Sequence, residues 1–241
     1  MFHVKPTETE QDEPTPPPSS AAEVFGGRLE LAEAYYQMLA TDGVVLGLIG
    51  PREIPRLWDR HLLNCAVIGD VLADGETVFD IGSGAGLPGI PVAIARPDLS
   101  ITLIEPLLRR SEFLSRVVDE LRLDVRVIRG RAEEKAVREA VGLADVVTSR
   151  AVAPLERLAK WSAPLVRPGG RMVAIKGSSA GEEIDRDKVL VGRVGISELT
   201  VQQCGAEFLE VPTTVVIGTK RGKGAASSGS KTRSKRASKK G

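Results

Sequence analysis

The stretch that decides the fold of this 241-residue chain is Val78-Phe-Asp-Ile-Gly-Ser-Gly-Ala-Gly-Leu-Pro-Gly-Ile-Pro91. Its first four residues form a short, largely apolar, β-prone run, as a buried parallel strand requires. Glycine then occupies every second position from Gly82 to Gly86, so the backbone can turn sharply and approach a ligand with no Cβ in the way. Pro88 suits the first turn of a helix. The stretch therefore predicts a nucleotide-binding corner at the carboxyl end of a parallel sheet.

Two ligand classes compete for this corner. The run Gly84-Ala-Gly-Leu-Pro-Gly89 fits the dinucleotide pattern G-x-G-x-x-G, and Glu105 follows at the spacing of a carboxylate that binds a ribose. Asp80, two residues before the first glycine, favours a different ligand. A carboxylate there would repel a pyrophosphate, but it can brace the loop or meet an ammonium group through water. The pattern Asp-x-Gly-x-Gly-x-Gly resembles motif I of the class I S-adenosylmethionine (SAM) methyltransferases, and SAM is favoured over NAD.

Charge divides the chain into an acidic body and a basic tail. The whole chain has 33 basic and 32 acidic residues, and residues 220–241 hold nine Lys or Arg and no acid. Residues 1–219 therefore carry a net charge of −8. The two cysteines are isolated from each other and from any C-x-x-C pattern, which argues against a zinc site or a disulfide framework. We find no apolar run of membrane-spanning length and no signal-peptide pattern, and we expect a cytoplasmic protein.

The chain divides into four parts by composition and periodicity. A proline-rich N-terminal segment with almost nothing to bury should be disordered, and so should the basic tail. Two amphipathic helices, over 23–38 and 51–72 and separated by a Gly-rich loop, form a helical extension. The parts are residues 1–22 (disordered), 23–74 (helical region), 75–219 (methyltransferase core) and 220–241 (basic tail).

Five strand–helix repeats follow the extension and predict an α/β fold with a doubly wound, mostly parallel sheet. The last two β-rich segments, 196–204 and 213–219, have only a short connection, so we expect an antiparallel hairpin at the sheet edge. A dehydrogenase would continue with parallel strands. The predicted architecture is a class I SAM-dependent methyltransferase (Rossmann-like) fold with seven strands.

Four separated pieces together resemble the bacterial 16S ribosomal RNA guanine-N7 methyltransferases, the glucose-inhibited division protein B family, and suggest an actinobacterial-like member. The resemblance spans roughly residues 30–219 and departs in 39–49, where the Trp-Asn and Asn-Leu-Thr of family members are missing. The pieces are Asp59-Arg-His-Leu-Leu-Asn64, the glycine loop with its Leu-Pro-Gly-Ile-Pro extension, Arg131-Ala-Glu-Glu134, and Ser149-Arg-Ala151 with Lys176-Gly177.

This resemblance implies SAM as cofactor and 16S rRNA of the small ribosomal subunit as partner, with a monomeric enzyme, no metal and no membrane. Arg150 is implied near both the cofactor and the target base, as a catalytic residue that acts by positioning and electrostatics. The cofactor site is expected to comprise Asp80, Gly82, Gly84, Gly86, Leu87, Glu105 (ribose), Ala132 and Glu133 (adenine end), and Arg150. The expected RNA contacts are Arg60, His61, Arg131 and Lys176.

Several of these residues have a second interpretation. His61 lies on an apolar stripe, so it could equally be a satisfied core histidine. Lys176 could be a solvated strand end, and Arg150 a surface ion-pair partner. Glu133 could simply favour a helix N-terminus, and Glu105 could be a solvated strand-end acid.

Guanine N7 offers an accessible lone pair and has no proton to lose, so its methylation requires no general base and no protein nucleophile. Catalysis can come from holding N7, the methyl group and the sulfur in line. The sequence agrees, because it lacks the Pro-Cys of C5-pyrimidine methylation, and Ser149-Arg-Ala-Val replaces the Asn/Asp-Pro-Pro-Tyr/Phe of amine methylation. Arg150 could then meet O6, a phosphate or the cofactor. Two other functions stay open: an assembly factor without chemistry and a small-molecule methyltransferase.

The tail yields the first testable prediction. Truncation after Thr219 should raise the apparent KM for RNA at moderate salt and leave kcat at saturating RNA unchanged. Neutralised phosphates release counterions with a slope of roughly −0.7 per contact on single strands, so four or five contacts change the salt slope by about three units. Identical salt slopes for both forms of the protein would instead mark the tail as a solubilising appendage.

Overall fold

A computed structural model describes residues 15–150 and 153–222 of the chain. Its centre is a seven-stranded sheet in the order β3-β2-β1-β4-β5-β7-β6. The first five strands are mutually parallel, and β7 runs antiparallel between β5 and β6. The strands are β1 (Thr77–Ile81), β2 (Ser100–Glu105), β3 (Val125–Arg129), β4 (Ala144–Arg150), β5 (Val166–Ile175), β6 (Ile196–Cys204) and β7 (Thr213–Lys220).

Helices cover both faces of this sheet, which is why its central strands are apolar on both sides. The helices within residues 19–95 and 108–120 form the layer on one face, and the helices within residues 135–193 form the layer on the other. The α-helices are α1 (Ser19–Phe25), α2 (Leu29–Met38), α3 (Asn64–Ala66), α4 (Gly89–Ala95), α5 (Leu108–Glu120), α6 (Lys135–Val141), α7 (Leu155–Ser162) and α8 (Ala180–Arg193). The predicted doubly wound sheet with its terminal antiparallel hairpin is confirmed.

The second predicted helix is a succession of short helical pieces of different types, which we term the 51–71 segment. It consists of a 3₁₀ turn, a π-helical turn, α3 and a second 3₁₀ turn: Pro51–Arg56, Leu57–Leu63, Asn64–Ala66 and Val67–Val71. A proline at position 55, inside the first piece, cannot donate an amide hydrogen to an α-helical ladder. The sequence predicted the periodicity of this helix but not its division into 3₁₀, π-helical and α-helical pieces.

The structure corrects the predicted boundary of the N-terminal region. Helix α1 begins at Ser19 and buries Ala21 completely, although residues 1–22 were expected to be disordered. The backbone N–H of Thr15 donates to Tyr36 Oη at 3.0 Å, and Trp58 Nε1–H donates to the Thr15 carbonyl at 3.0 Å. Because the two aromatic rings stack 5.2 Å apart, they form a surface that holds this proline-flanked segment. Residues 1–14 lie outside the described part of the chain.

Two further boundaries differ from the prediction. The Gly-rich 43–50 region is only partly a loop, because α2 continues through a π-helical turn, Leu39–Gly43. At the other end, β7 includes Lys220, and the backbone N–H of Arg221 donates to the Gly195 carbonyl at 2.9 Å. A truncation that spares the fold therefore begins after Gly222. The expected disorder of the basic tail concerns residues 223–241, which are outside the described residues.

No helix in the described ranges is long and apolar enough to cross a membrane.

The loop between β6 and β7 is anchored on the 51–71 segment by Gly205. This glycine has φ +71°, and a Cβ built on it would meet Cγ1 of Val67 at 2.6 Å. Its N–H also donates to Asp70 Oδ2 at 3.3 Å. The close approach leaves no space for a side chain, so the glycine fixes where the loop lies.

We expect Gly205→Ala to lower the free energy of unfolding by roughly 2–4 kcal/mol, because the left-handed backbone costs about 1–2 kcal/mol and overpacking against Val67 about as much again. Gly169→Ala is the matched control: its φ is +79° and the nearest atom to its Cβ is 3.8 Å away. Denaturant unfolding of both variants gives the comparison. In a Val67→Gly background, which removes the Val67 Cβ at 2.7 Å together with both methyl groups, Gly205→Ala should cost no more than Gly169→Ala, and an undiminished cost there would contradict the proposed contact.

Candidate active site

The glycine loop after β1 is open on one side and closely packed on the other. Its three alternating glycines have φ values of 68°, 60° and 102° at Gly82, Gly84 and Gly86. A Cβ on Gly86 would meet Ile90 Cγ1 at 2.6 Å and Tyr35 Oη at 3.0 Å, so this glycine faces the core. A Cβ on Gly84 would meet only the Gly82 carbonyl, at 3.9 Å, so this glycine faces open space.

Asp80 lies beneath the loop and is fully buried. Its Oδ2 accepts the backbone N–H of Gly89 at 3.0 Å, which ties β1 to the start of α4. Its Oδ1 is buried without a hydrogen-bond partner among the described residues. Burial, opposed by the hydrogen bonds from Gly89 and Ser83, raises the pKa of Asp80 to about 7. An unpartnered buried carboxylate oxygen fits a ligand that brings a cationic group, such as the ammonium of SAM.

Glu105, at the end of β2, is 2% exposed and holds two backbone amides. Its Oε2 accepts the N–H of Gly84 at 2.9 Å, and its Oε1 accepts the N–H of Leu107 at 3.0 Å. Glu105 is therefore not the solvated strand-end acid of the alternative interpretation. A carboxylate has about four acceptor positions, so the lone pairs that remain can still receive ribose hydroxyls.

Two cavities flank the loop, and Gly82 lines both of them. The larger, of about 380 Å³, lies on the side of the helical extension and is lined by Leu48, Ile49, His61, Gly82 to Ala85, Leu87, Arg110 and Arg150. The smaller, of about 130 Å³, is lined by Ile81, Gly82, Ile104, Pro106, Gly130 to Glu133 and Trp161. An elongated ligand with an amino-acid end and a purine end fits this pair.

The smaller cavity brings together Ala132 and Glu133, the residues expected at the adenine end. Trp161 of α7 lines the same cavity. The indole is only partly buried, and it forms one wall of this cavity. Arg131, expected to contact RNA, lines the same cavity.

Arg150 lines both the cavity of about 380 Å³, which we call the cofactor-side cavity, and a third cavity of about 570 Å³. We call the third cavity the outer cleft; its lining is Asp59, Arg60, Asn64, Arg150 and Phe208 to Val211. The guanidinium donates from Nη2 to His61 Nδ1 at 2.8 Å and from Nη1 to Cys65 Sγ at 3.2 Å. Arg150 is thus held by the 51–71 segment and is not a surface ion-pair partner.

His61 is 8% exposed, and both of its ring nitrogens have partners within the protein. Its Nε2 lies 3.0 Å from Glu53 Oε2, while Nδ1 meets Arg150. Burial, assisted by the positive charge of Arg150, lowers the pKa of His61, so the ring is neutral at pH 7. His61 is therefore a buried histidine with satisfied hydrogen bonds, as in its second interpretation. Its ring also lines the cofactor-side cavity.

The other two expected RNA contacts differ from each other. The side chain of Arg60 is 59% exposed at the outer cleft, with Nη1 at 3.6 Å from Glu53 Oε2. Lys176 is neither an RNA-facing side chain nor a solvated strand end. It is 11% exposed, donates from Nζ to the Ala153 carbonyl at 2.9 Å, and pairs with Glu183 at 2.8 Å. An inward ion pair with α8 explains the difference, because it satisfies the ammonium inside the protein.

Sequence reasoning did not find the outer cleft. Phe208 and Glu210 belong to the β6–β7 loop, far along the chain from Asn64, and the loop carries no pattern that links it to the glycine loop. They are joined by the packing of Gly205 on Val67 and by the hydrogen bond that the Thr213 hydroxyl donates to the Asn64 carbonyl at 2.8 Å.

A sheet of order 3-2-1-4-5-7-6 with β7 antiparallel, an Asp before the glycine loop and a Glu at the end of β2 define a class I SAM-dependent methyltransferase. A solved structure with this fold, a predicted O-methyltransferase from Agrobacterium tumefaciens, is 20% identical and aligns with a TM-score of 0.50 over 68% of this chain and 82% of that one.

Residues 28–211 match the model of the family GidB, rRNA small subunit methyltransferase G. Proteins of that name from Rhodococcus jostii and Corynebacterium glutamicum (strain R) are 61% and 63% identical, over 90% and 83% of this chain and 95% and 90% of their own lengths. The chain belongs to this family, and it is a SAM-dependent methyltransferase of small-subunit ribosomal RNA. The prediction of SAM over NAD is confirmed.

The two faces of the glycine loop separate ligand binding from folding. Gly84→Val should lower SAM affinity more than tenfold, about 1.4 kcal/mol, because its side chain projects into open space beside Gly82. Its left-handed backbone should cost about 1–2 kcal/mol of stability, and Gly86→Ala should lower the melting temperature further, because its Cβ also meets the core. Calorimetry with SAM and thermal unfolding test both variants. Unchanged SAM affinity in a folded Gly84→Val protein would refute the assignment.

Proposed function

We propose that this protein transfers the methyl group of SAM to N7 of a guanine in 16S rRNA, with the cofactor at the glycine loop and the base in the outer cleft. The observation that carries the proposal is the position of Arg150, which lines both the cofactor-side cavity and the outer cleft. A residue that lines both cavities lies where the methyl group of SAM and the acceptor base would meet.

On the cofactor side, we propose that Asp80, Gly82, Gly84, Gly86 and Leu87 receive the amino-acid end. The free oxygen of the buried Asp80 supports this placement, since an ammonium favours the ionised carboxylate. Glu105 would accept ribose hydroxyls. Ala132 and Glu133, with Trp161 as an aromatic wall, would hold the purine.

On the acceptor side, the polar groups of the outer cleft are complementary to guanine. Guanine presents an acceptor at O6 and donors at N1 and N2. Arg150 offers only donors, while Asp59 and Glu210 offer acceptors in the same cleft. Phe208 adds an aromatic side chain against which a base can stack. Adenine, with a donor at C6 and no N1–H, would not match this set.

SAM supplies an electrophilic methyl group on a sulfonium when it is bound. The protein need not move a proton, because N7 attacks with a free lone pair. Arg150 would position O6 or a phosphate and would complement the charges that change during transfer. Methyl transfer by this route requires no metal ion. We further propose that the enzyme acts as a monomer, in the cytoplasm where its ribosomal substrate is assembled.

Among the expected RNA-binding residues, Arg60 is the best supported, because its exposed guanidinium borders the outer cleft. Arg131 is proposed for a phosphate at the rim of the smaller cavity. Lys176 is proposed to act indirectly, through the chain after β4 that it holds at Ala153.

Tritium transfer from labelled SAM to small-subunit particles, followed by reductive cleavage at 7-methylguanine, tests this function. Wild-type protein should label one guanine. Arg150→Ala should lower kcat by about 10²-fold, whereas Arg60→Ala should raise the KM for the particle and reduce the salt slope by about 0.7.

Lys188→Ala is the control, since this exposed lysine pairs with Asp185 on α8 and lines none of the three cavities. Binding of particles without label transfer would indicate an assembly factor. Label on a base other than guanine, or on another guanine atom, would overturn the assignment.

A further inference from the structure

We propose that His61 is a positioning residue of the methyl transfer: its neutral imidazole holds the Arg150 guanidinium between the cofactor-side cavity and the outer cleft. The inference rests on the proposed function, in which Arg150 meets the acceptor base. It assigns His61 a role other than the RNA contact expected from the sequence.

The hydrogen-bond chemistry fixes the state of the ring. A guanidinium has only donors, so the nitrogen that it meets, His61 Nδ1 at 2.8 Å, must be an acceptor without a proton. The proton of a neutral ring then lies on Nε2, which faces Glu53 Oε2 at 3.0 Å. Glu53 therefore selects the tautomer that His61 needs in order to accept from Arg150.

This contact gives a long, flexible side chain a defined direction. Arginine loses considerable rotamer entropy when it is fixed, so Arg150 requires partners to stay between two cavities. The structure supplies them from one element: His61 from the π-helical turn of the 51–71 segment, and Cys65 from the turn that follows it. Single π-helical turns are frequent at functional sites. The same segment lines the outer cleft through Asp59 and Asn64.

Protonation of His61 would break the arrangement. An imidazolium has two N–H donors and no acceptor, so it would lose Nδ1 as a partner for Arg150 and repel the guanidinium. The charged and titratable groups that act on the ring are Glu53, Arg60 and Arg150, and the Cys65 thiol meets Arg150 rather than the ring. Burial and the two arginines lower the pKa of His61 below its ordinary value of 6.5, against the opposing effect of Glu53. Catalysis should therefore fall only on the acid side of that value.

The test compares three substitutions in the full-length protein. His61→Phe removes the acceptor and should lower kcat at saturating SAM about ten- to a hundredfold, with SAM affinity within about threefold of wild type. His61→Asn places an amide oxygen near the Nδ1 position and should recover most of kcat without its acid-side decline. Leu62→Ala is the control: this fully buried neighbour should lose stability but retain kcat.

A double-mutant cycle separates positioning from folding. In an Arg150→Ala background, His61→Phe should have no further effect on kcat, because the residue it positions is absent. Glu53→Ala offers a milder perturbation that leaves the buried ring in place, and it should lower kcat in the same direction as His61→Phe. Additive losses in the cycle, or equal losses for His61→Asn and His61→Phe, would overturn the proposal.

Two readouts keep this inference distinct from the proposed function. Asp80 also titrates near neutral pH, but its effect should appear in SAM affinity and persist in His61→Asn, whereas the His61 effect lies in kcat and disappears there. Nitrogen-15 NMR of the Arg150 guanidinium requires no turnover. In wild type, the hydrogen bond to His61 should slow rotation of the guanidinium, so that separate Nη signals are seen. In His61→Phe the rotation should be fast and the Nη signals averaged. Averaged signals in wild type would refute the positioning role even if methyl transfer proceeds normally.

Discussion

The rest of the structure depends on how two buried carboxylates satisfy the backbone of the glycine loop. Asp80 accepts the N–H of Gly89, and Glu105 accepts the N–H of Gly84, so the loop is held by side chains at the ends of two neighbouring strands. A loop of positive-φ glycines has no side chains with which to stabilise itself. The carboxylates hold it in shape before a ligand arrives, which reduces the ordering cost of binding. One oxygen of Asp80 has no hydrogen-bond partner among the described residues, and it is the atom proposed to meet the ammonium of SAM.

The 51–71 segment connects this scaffold to the acceptor side. Its π-helical turn buries His61 against Arg150, and its last turn receives Gly205 from the β6–β7 loop. The walls of the outer cleft therefore come from three distant parts of the chain that meet at this segment. The contact of His61 with Arg150 also joins the helical extension to the end of β4.

Particular residues show where sequence reasoning succeeded and where it stopped. Asp80 and Glu105 were found because the spacing from strand ends to glycines is local and periodic. His61 was left between two interpretations, since periodicity assigns a residue to an apolar stripe without identifying the groups opposite it. Lys176 was misjudged for a related reason: its partners, Glu183 and the Ala153 carbonyl, come from neighbouring elements, and nothing near position 176 reveals an inward ion pair.

By itself, the sequence determined the doubly wound sheet, the antiparallel hairpin at its edge, the glycine loop with its two acids and the family, because each depends on patterns within short stretches of the chain. Tertiary structure alone decided the outer cleft, the partners of Arg150 and the direction of Lys176. The partners of Arg150 lie 85 and 89 positions away along the chain, and Lys176 meets a carbonyl 23 positions away, on a neighbouring element. Such contacts are set by how helices and loops pack on the completed sheet, and no local pattern of side chains encodes that packing.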